Sequence, residues 1–427
     1  MTGFINKIAG INAKYLIAFI IILNFLAKIL LLAVMGPGSP PVDDGVDYYE
    51  IAKNLAGSLE FSGVFGITSA RAPMYPFFLG LLFALSGGNI TAIRILQILL
   101  SLLIFPLLYR FLKKIGTGKQ VAITALGLYA LYPAFIYLPY RLLTENLFIL
   151  LLMLFSLVFI RYRNIKDCIF CGVLSGLLAL TRPMFLLYPF FSLVYLFFHR
   201  EKSLRRTVRD FSIISVFMLV TIMPWTIRNY KLWGGFCLIT TNSGNTIMIN
   251  NNDFLFDIKG PAPQNRVFRM EKLHPDFMPG TELWESMNEL ERDRELQKRT
   301  FDWIRNNPVS FIRLIPVKLW SFWHYSQNPQ TPEIKKSVQD IGSALSYLVL
   351  LPFMFYGFLI SFRFMRFPDQ LYPVSLLALF LCTTIIFGGS LRFRLPFDLF
   401  LIIWASMGIS HISSILGGIF LGKFRRE

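Results

Sequence analysis

The sequence predicts an all-α protein that crosses a membrane about ten times, and three observations carry that reading. Of its 427 residues 55% are hydrophobic and 16% charged, with a mean hydropathy of +0.55. That leaves too few polar side chains to coat the two or three soluble domains the length would otherwise allow. The apolar residues also fall in continuous runs of helical span length, not in the alternating pattern of barrel strands. Finally, Lys and Arg gather in alternate loops, as they do in oriented helical membrane proteins. The same composition excludes disordered, collagen-like and disulfide-scaffold chains. Basic loops facing anionic headgroups account for the formal net charge of +17, without a nucleic-acid partner.

The first run, residues 15–35, is long enough to span, and no small-residue cleavage site follows it before the acidic loop, so it reads as a retained span. Further spans are expected at 91–110, 120–139, 142–160, 167–181, 184–198, 210–227, 341–362, 371–388 and 395–417. Two apolar stretches are left out: 74–86 is short and suits a surface helix, and 309–325 is interrupted by Arg313, Pro316, Lys318 and His324. With both omitted, 19 Lys and Arg fall in loops on one side, from Lys7 to Arg426. The short loops opposite hold 6, namely Lys53, Arg71, Arg141, Arg182, Arg392 and Arg394, which places both termini in the cytoplasm. The chain then divides into a transmembrane module at 1–227 with a first outer loop at 36–90, an extracytoplasmic segment at 228–340 with a helical run near 282–305, and C-terminal spans at 341–427. Cys168 and Cys171, three apart in an apolar run, read as packing residues.

The candidate chemistry lies at the outer ends of these spans. Asp43, Asp44 and Asp47 follow the first span; a helix starting there puts Asp44 and Asp47 on one face and continues through Tyr48 and Ala52. These acids are either helix caps or hold a general base at the membrane edge. Arg71, just before a proline-started helix, suits either a lipid headgroup or a bound phosphate. Arg141 and Glu145 stand four apart at the end of the third span. They either pair, for which a surface pair contributes only about 0.3 to 0.5 kcal/mol, or orient a polar ligand. Arg182, Arg228, Arg392 and Arg394 add further outer cations, and Lys28 lies inside the first span, placed to snorkel outward or face a cavity. Six arginines on the side that is otherwise poor in cations, beside an acidic cluster, suit a phosphate-bearing amphiphile with the acids handling a hydroxyl. His199, His274, His324 and His411 are scattered and no HExxH or paired-Cys site occurs, so a divalent metal is compatible with the sequence but not implied.

The order of motifs resembles a known family. DDGVDYYEIA after the first span, RAPMYP, YRLLTE, LTRP, PWTIRNY with NSGNTIMINNN, and RFRLPFDLF are together similar to the GT-C integral-membrane glycosyltransferases. The nearest branch is the bacterial relatives of protein O-mannosyltransferases and of the lipid A aminoarabinose transferase. The resemblance covers most of the chain and is strongest over 42–185. The family's Asp-Glu pair is here Asp43-Asp44, and its His-Pro-Pro segment is Arg71-Ala72-Pro73.

The resemblance implies transfer of a sugar, with inversion, from a polyprenyl-phosphate donor to a lipid, glycan or protein hydroxyl at the outer face of a bacterial inner membrane, with no required cofactor. It implies Asp44 as the general base and Asp47, Tyr48, Arg141 and Glu145 around acceptor or sugar. Arg71, Arg182, Arg392, Arg394 and Lys28 fall to the donor phosphate. A flippase of lipid-linked glycan is the main rival, but it would carry its cations at mid-membrane depth. A glycan polymerase or ligase would move a whole lipid-linked oligosaccharide.

Overall fold

The computed structural model describes residues 13–253, 274–324 and 333–423, so the terminal cations Lys7, Arg425 and Arg426 lie outside the described residues. Helix α1 (Ala13–Met35) is 23 residues long, about 34 Å at 1.5 Å per residue, enough to cross the hydrocarbon of a bilayer. Its apolar Phe19, Leu26 and Leu30 are exposed whereas Asn24, Lys28 and Leu32 are buried. This inside-out distribution suits a helix whose solvent is lipid and whose polar groups face protein.

After α1 come α2 (Asp44–Ser58), a two-stranded antiparallel hairpin of β1 (Ser62–Gly63) and β2 (Gly66–Ile67), and α3 (Met74–Leu85), which packs against α2. Next are α4 (Ile90–Leu102), α5 (Ile104–Lys114), α6 (Lys119–Leu131), α7 (Pro133–Tyr137), α8 (Glu145–Phe159), α9 (Ile165–Thr181) and α10 (Tyr188–His199). The long α11 (Leu204–Trp233) leads to α12 (Ser243–Ile249), α13 (Glu282–Glu285), α14 (Glu289–Asn306) and α15 (Pro308–Trp323). The chain closes with α16 (Glu333–Phe364), α17 (Phe367–Phe387) and α18 (Leu391–Lys423).

Six of these helical stretches are long and apolar enough to cross a membrane: α1, the joined α4–α5, α11, α16 from Ser346, α17, and α18 to Leu416. A seventh exists if α6 and the Pro133–Tyr140 stretch, bent by 59° at the break, count as one. The spans expected at 142–160, 167–181 and 184–198 are present as α8, α9 and α10, but these have only 15, 17 and 12 residues. Phe148, Leu152, Phe155 and Phe159 of α8 are all fully buried, whereas α9 and α10 each keep an outward apolar face, at Phe170 and at Phe190 and Val194. The charges in 309–325 interrupt the hydropathy but not the helix, since α15 runs through Pro316 and buries Lys318.

Close packing fixes the frame of the site. Gly172 and Gly176 of α9 face α11, where an added Cβ would collide with the Ile214 and Met218 carbonyls, so the backbones touch as in small-xxx-small membrane pairs. Arg182 follows the last turn of α9 and lies 3.6 Å from Glu145 at the start of α8.

Candidate active site

Asp43 is the N-cap of α2, yet its side chain makes no capping bond and its φ is +54°, in the left-handed region that non-glycine residues rarely occupy. Such strain costs about 1 to 3 kcal/mol and persists where the surroundings enforce it. Here it sends Asp43 to Arg141, whose Nη2 donates to it at 2.5 Å. Asp44, the first helical residue, is directed into a different set of cations.

Arg71 donates to Asp44 at 2.9 Å and to Asp47 at 2.7 and 3.2 Å, and its guanidinium lies 5.2 Å from the centre of the Tyr48 ring. Burial works against the Arg71 charge, but Tyr48, Asp44 and Asp47 outweigh it and hold its pKa above the ordinary arginine value. Arg392, from the first turn of α18, reaches the other Asp44 oxygen at 2.5 Å and also donates to Glu145. Asp44 is therefore bracketed by two arginines that arrive from opposite ends of the sequence.

Glu145 begins α8 and is fully buried; besides Arg392 it takes the Thr144 hydroxyl at 3.1 Å and an ion-pair contact of 3.6 Å from Arg182. Arg182 differs from its neighbours. It is 7% exposed, held between the Phe148 and Phe393 rings at 5.6 and 5.2 Å, and its buried Nη1, 3.6 Å from Glu145, has no hydrogen-bond partner among the described residues. A planar guanidinium with unused donors, caged by aromatic faces, is suited to take a phosphate oxygen.

The structure thus brings together Asp44, Asp47, Tyr48, Arg71, Glu145, Arg182 and Arg392, with Arg141 alongside through Asp43. Arg141 and Glu145 do not pair with each other. A 3-10 turn ends at the extended Arg141 and residues 142–144 are irregular before α8 begins at Glu145, so the helical spacing that would align the two is absent.

Two expected donor residues lie elsewhere. Arg394 is fully buried and donates to Asp398 at 2.9 Å and to the Phe322 carbonyl at 3.1 Å, 4.0 Å from the centre of the Tyr347 ring. Two positions after Arg392 on one helix, it points to the other side. Lys28 is buried against α4 and α6, donating to Ser101 at 2.7 Å below the Tyr129 ring, instead of snorkelling.

The sequence reading passed over the buried Arg94, which donates to the Pro37 and Tyr140 carbonyls and fixes the α1–α2 connection. A charge just inside an apolar run was its available signal. Among the described residues no group of three or more His, Cys, Asp or Glu could hold a metal ion. The oxygens of Asp44, Asp47 and Glu145 are directed at arginines instead.

Residues 70–227 match the family model for dolichyl-phosphate-mannose-protein mannosyltransferases, a stretch that contains Arg71, Glu145 and Arg182. No curated protein sequence matches the chain. Among solved structures, 97% of the chain superposes on the oligosaccharyltransferase AglB of Archaeoglobus fulgidus in complex with an inhibitory peptide and a dolichol-phosphate, with a TM-score of 0.55 at 13% identity. This is the GT-C fold. The same archaeal enzyme tethered to an acceptor peptide gives a TM-score of 0.54 over 95% of the chain at 13% identity. ArnT from Cupriavidus metallidurans bound to undecaprenyl phosphate gives 0.41 over 92% of this chain and 77% of its own, also at 13% identity. The chain spans about half the length of the AglB chains, 52% and 50%. The likeness therefore concerns the fold over about half of each AglB chain.

Proposed function

We propose that this protein transfers a sugar from a polyprenyl-phosphate-linked donor to an acceptor hydroxyl, at the outer face of a bacterial inner membrane that the chain crosses about ten times with both termini inside. The observation that carries this reading is the carboxylate of Asp44 held between Arg71 and Arg392, next to an Arg182 with donors to spare. The matching mannosyltransferase model and the GT-C fold support it.

In this reading the donor phosphate binds at Arg182 and shares the donors of Arg392 and Arg71. Asp47 and Glu145 keep those arginines in place, and Tyr48 and Arg141 border the acceptor side. As the phosphate draws on the guanidinium groups it loosens their hold on Asp44, whose carboxylate becomes a better proton acceptor. The acceptor oxygen then attacks the anomeric carbon from the face opposite the phosphate while Asp44 takes its proton. The carbon–oxygen bond to phosphate breaks, and the polyprenyl phosphate leaves with the electron pair, its charge spread over the arginines. Configuration at the sugar inverts, and no step requires a cofactor.

Mass spectrometry of membrane lipids and glycans from cells with and without the gene tests this directly. A species lighter by one sugar is expected in its absence, and the missing mass names the sugar while its carrier names the acceptor. An unchanged set of glycans, together with movement of lipid-linked sugar across vesicles by the purified protein, would instead mark a transporter.

A further inference from the structure

The two arginines on Asp44 come from an irregular loop and from the first turn of α18 just after the irregular residues 388–390, places where a chain is ordinarily least constrained. Each is held from behind by the segment that follows α11, to which the reaction above assigns no residue.

The first clasp closes on Ser69, two residues before Arg71 and fully buried. Glu289, the first residue of α14, accepts the Ser69 N–H and the Thr68 hydroxyl, both at 2.7 Å, and the Thr241 hydroxyl. Arg228 adds donations to the Thr68 carbonyl at 2.9 Å and to the Ser69 hydroxyl at 2.6 Å. A carboxylate at a helix N-terminus is favoured by the helix dipole, so α14 is a fixed post to which the Arg71 loop is tied.

The second clasp closes on the end of α17. Lys318 of α15, 4% exposed, donates to the Ile385 carbonyl at 2.7 Å and to Asn251 at 2.6 Å, and Asn251 donates in turn to the Ile386 carbonyl at 2.9 Å. Those carbonyls belong to the last turn of α17, where a helix has no backbone donors of its own to offer. Gly388 follows with a φ of +84°, its open side filled by Asn250, and Arg392 stands in the next turn. Lys318 has no carboxylate partner among the described residues. A buried ammonium without one costs stability, so its place is explained by what it holds.

We infer that Glu289 and Lys318 are positioning residues, each setting through its clasp one of the two arginines that bracket Asp44: Glu289 through Ser69 to Arg71, and Lys318 through Ile385 and Ile386 to Arg392. The inference rests on the sugar-transfer reading for its effect on rate, and on geometry alone for its effect on structure. Displacement of a positioning group by about 1 Å costs on the order of a hundredfold in rate, so the clasps matter even though neither touches substrate.

The test uses the full-length protein in lipid nanodiscs with Glu289→Ala and Lys318→Met, and Thr241→Val and Asn251→Ala as milder versions of the same cuts. Hydrogen exchange read by mass spectrometry is expected to rise roughly tenfold or more in peptides over 66–73 for Glu289→Ala and over 385–392 for Lys318→Met, with the other segment little changed. For sugar transfer, Glu289→Ala should lower kcat roughly tenfold or more in wild-type and Arg392→Lys backgrounds but have little further effect with Arg71→Lys. Lys318→Met should show the reverse, because residues acting through one another are non-additive. Exchange rising equally in both segments, or equal losses in both arginine backgrounds, would overturn the assignment. If the wild type transfers no sugar, the proposed function fails, while the exchange pattern still decides whether the clasps hold the two segments.

Discussion

The two ends of α8 carry ionic clusters made of the same residue types, yet they are built to different specifications. They stand about 22 Å apart, the length of a 15-residue helix. At the far end, Asp210 is fully buried and both its oxygens are used. Tyr162 and Arg200 donate to one at 2.6 and 2.5 Å, and Arg209 donates to the other at 2.9 Å. At the near end, Asp44 and Glu145 share Arg392, Arg182 keeps a donor unused, and the Asp44, Arg71 and Arg392 side chains are 17, 14 and 31% exposed. A closed network holds helices together. An open one, with shared partners and a donor to spare, leaves room for a ligand to rearrange it.

Arg394→Ala gives the sharpest contrast with the near-end arginines. It leaves the buried Asp398 without its arginine and with the Tyr132 hydroxyl alone of its two side-chain donors, a loss worth about 3 to 5 kcal/mol, and is expected to reduce the yield of folded protein and lower its melting temperature markedly. If Arg394→Ala melts like wild type and instead loses donor affinity, the division between structural and reactive cations is wrong.

Arg182→Ala should do the opposite, leaving folding nearly intact while weakening binding of a polyprenyl-phosphate donor. Charge-assisted bonds contribute about 1.5 to 3 kcal/mol, or roughly ten- to a hundred-and-fiftyfold in affinity, measurable by titration of the purified protein. Donor affinity equal to wild type would remove Arg182 from the phosphate site.

Much of this division was legible in the sequence. The acids after the first span, Arg71, Arg182 and Glu145 could be nominated because they sit at apolar run ends, where composition marks them, and the helical spacing of Asp44, Asp47 and Tyr48 was read correctly as one face. Arg394 could not be separated from Arg392, because its partner Asp398 lies four residues on in the same motif and both look like outer cations until the turn before α18 is known. Glu289, Asn251 and Lys318 were invisible for a related reason: they act across gaps of 67 to 220 residues on backbone groups, which leave no pattern in a sequence. The span count is the coarser part of that reading: six helical stretches, or seven with the bent pair, are long and apolar enough to cross a membrane, and α8, α9 and α10 are shorter than a full span.

A smaller effect is expected at the far end. Asp210→Asn keeps the shape of the side chain but weakens its bonds to Arg200 and Arg209, so the melting temperature should fall while sugar transfer per folded molecule stays within roughly twofold, because sites this far apart with no shared partners are weakly coupled. A large loss of transfer would show that the two ends of α8 are coupled. The orientation of the pair is read by impermeant thiol labelling in intact cells: cysteines at Ser58 and Ser286 should react and one at Thr117 should not, and labelling at Thr117 would invert the topology.

The central claim, that Asp44 accepts a proton and does not merely balance charge, is tested most directly by Asp44→Asn in a single-turnover assay with donor already bound. Asn preserves shape and serves equally well near a helix start, but it cannot take the acceptor's proton, and general-base catalysis supplies about 10² to 10⁴ in rate. The account predicts a folded protein that still binds donor and transfers sugar at least roughly a hundredfold more slowly. Transfer at close to the wild-type rate by this variant would contradict it.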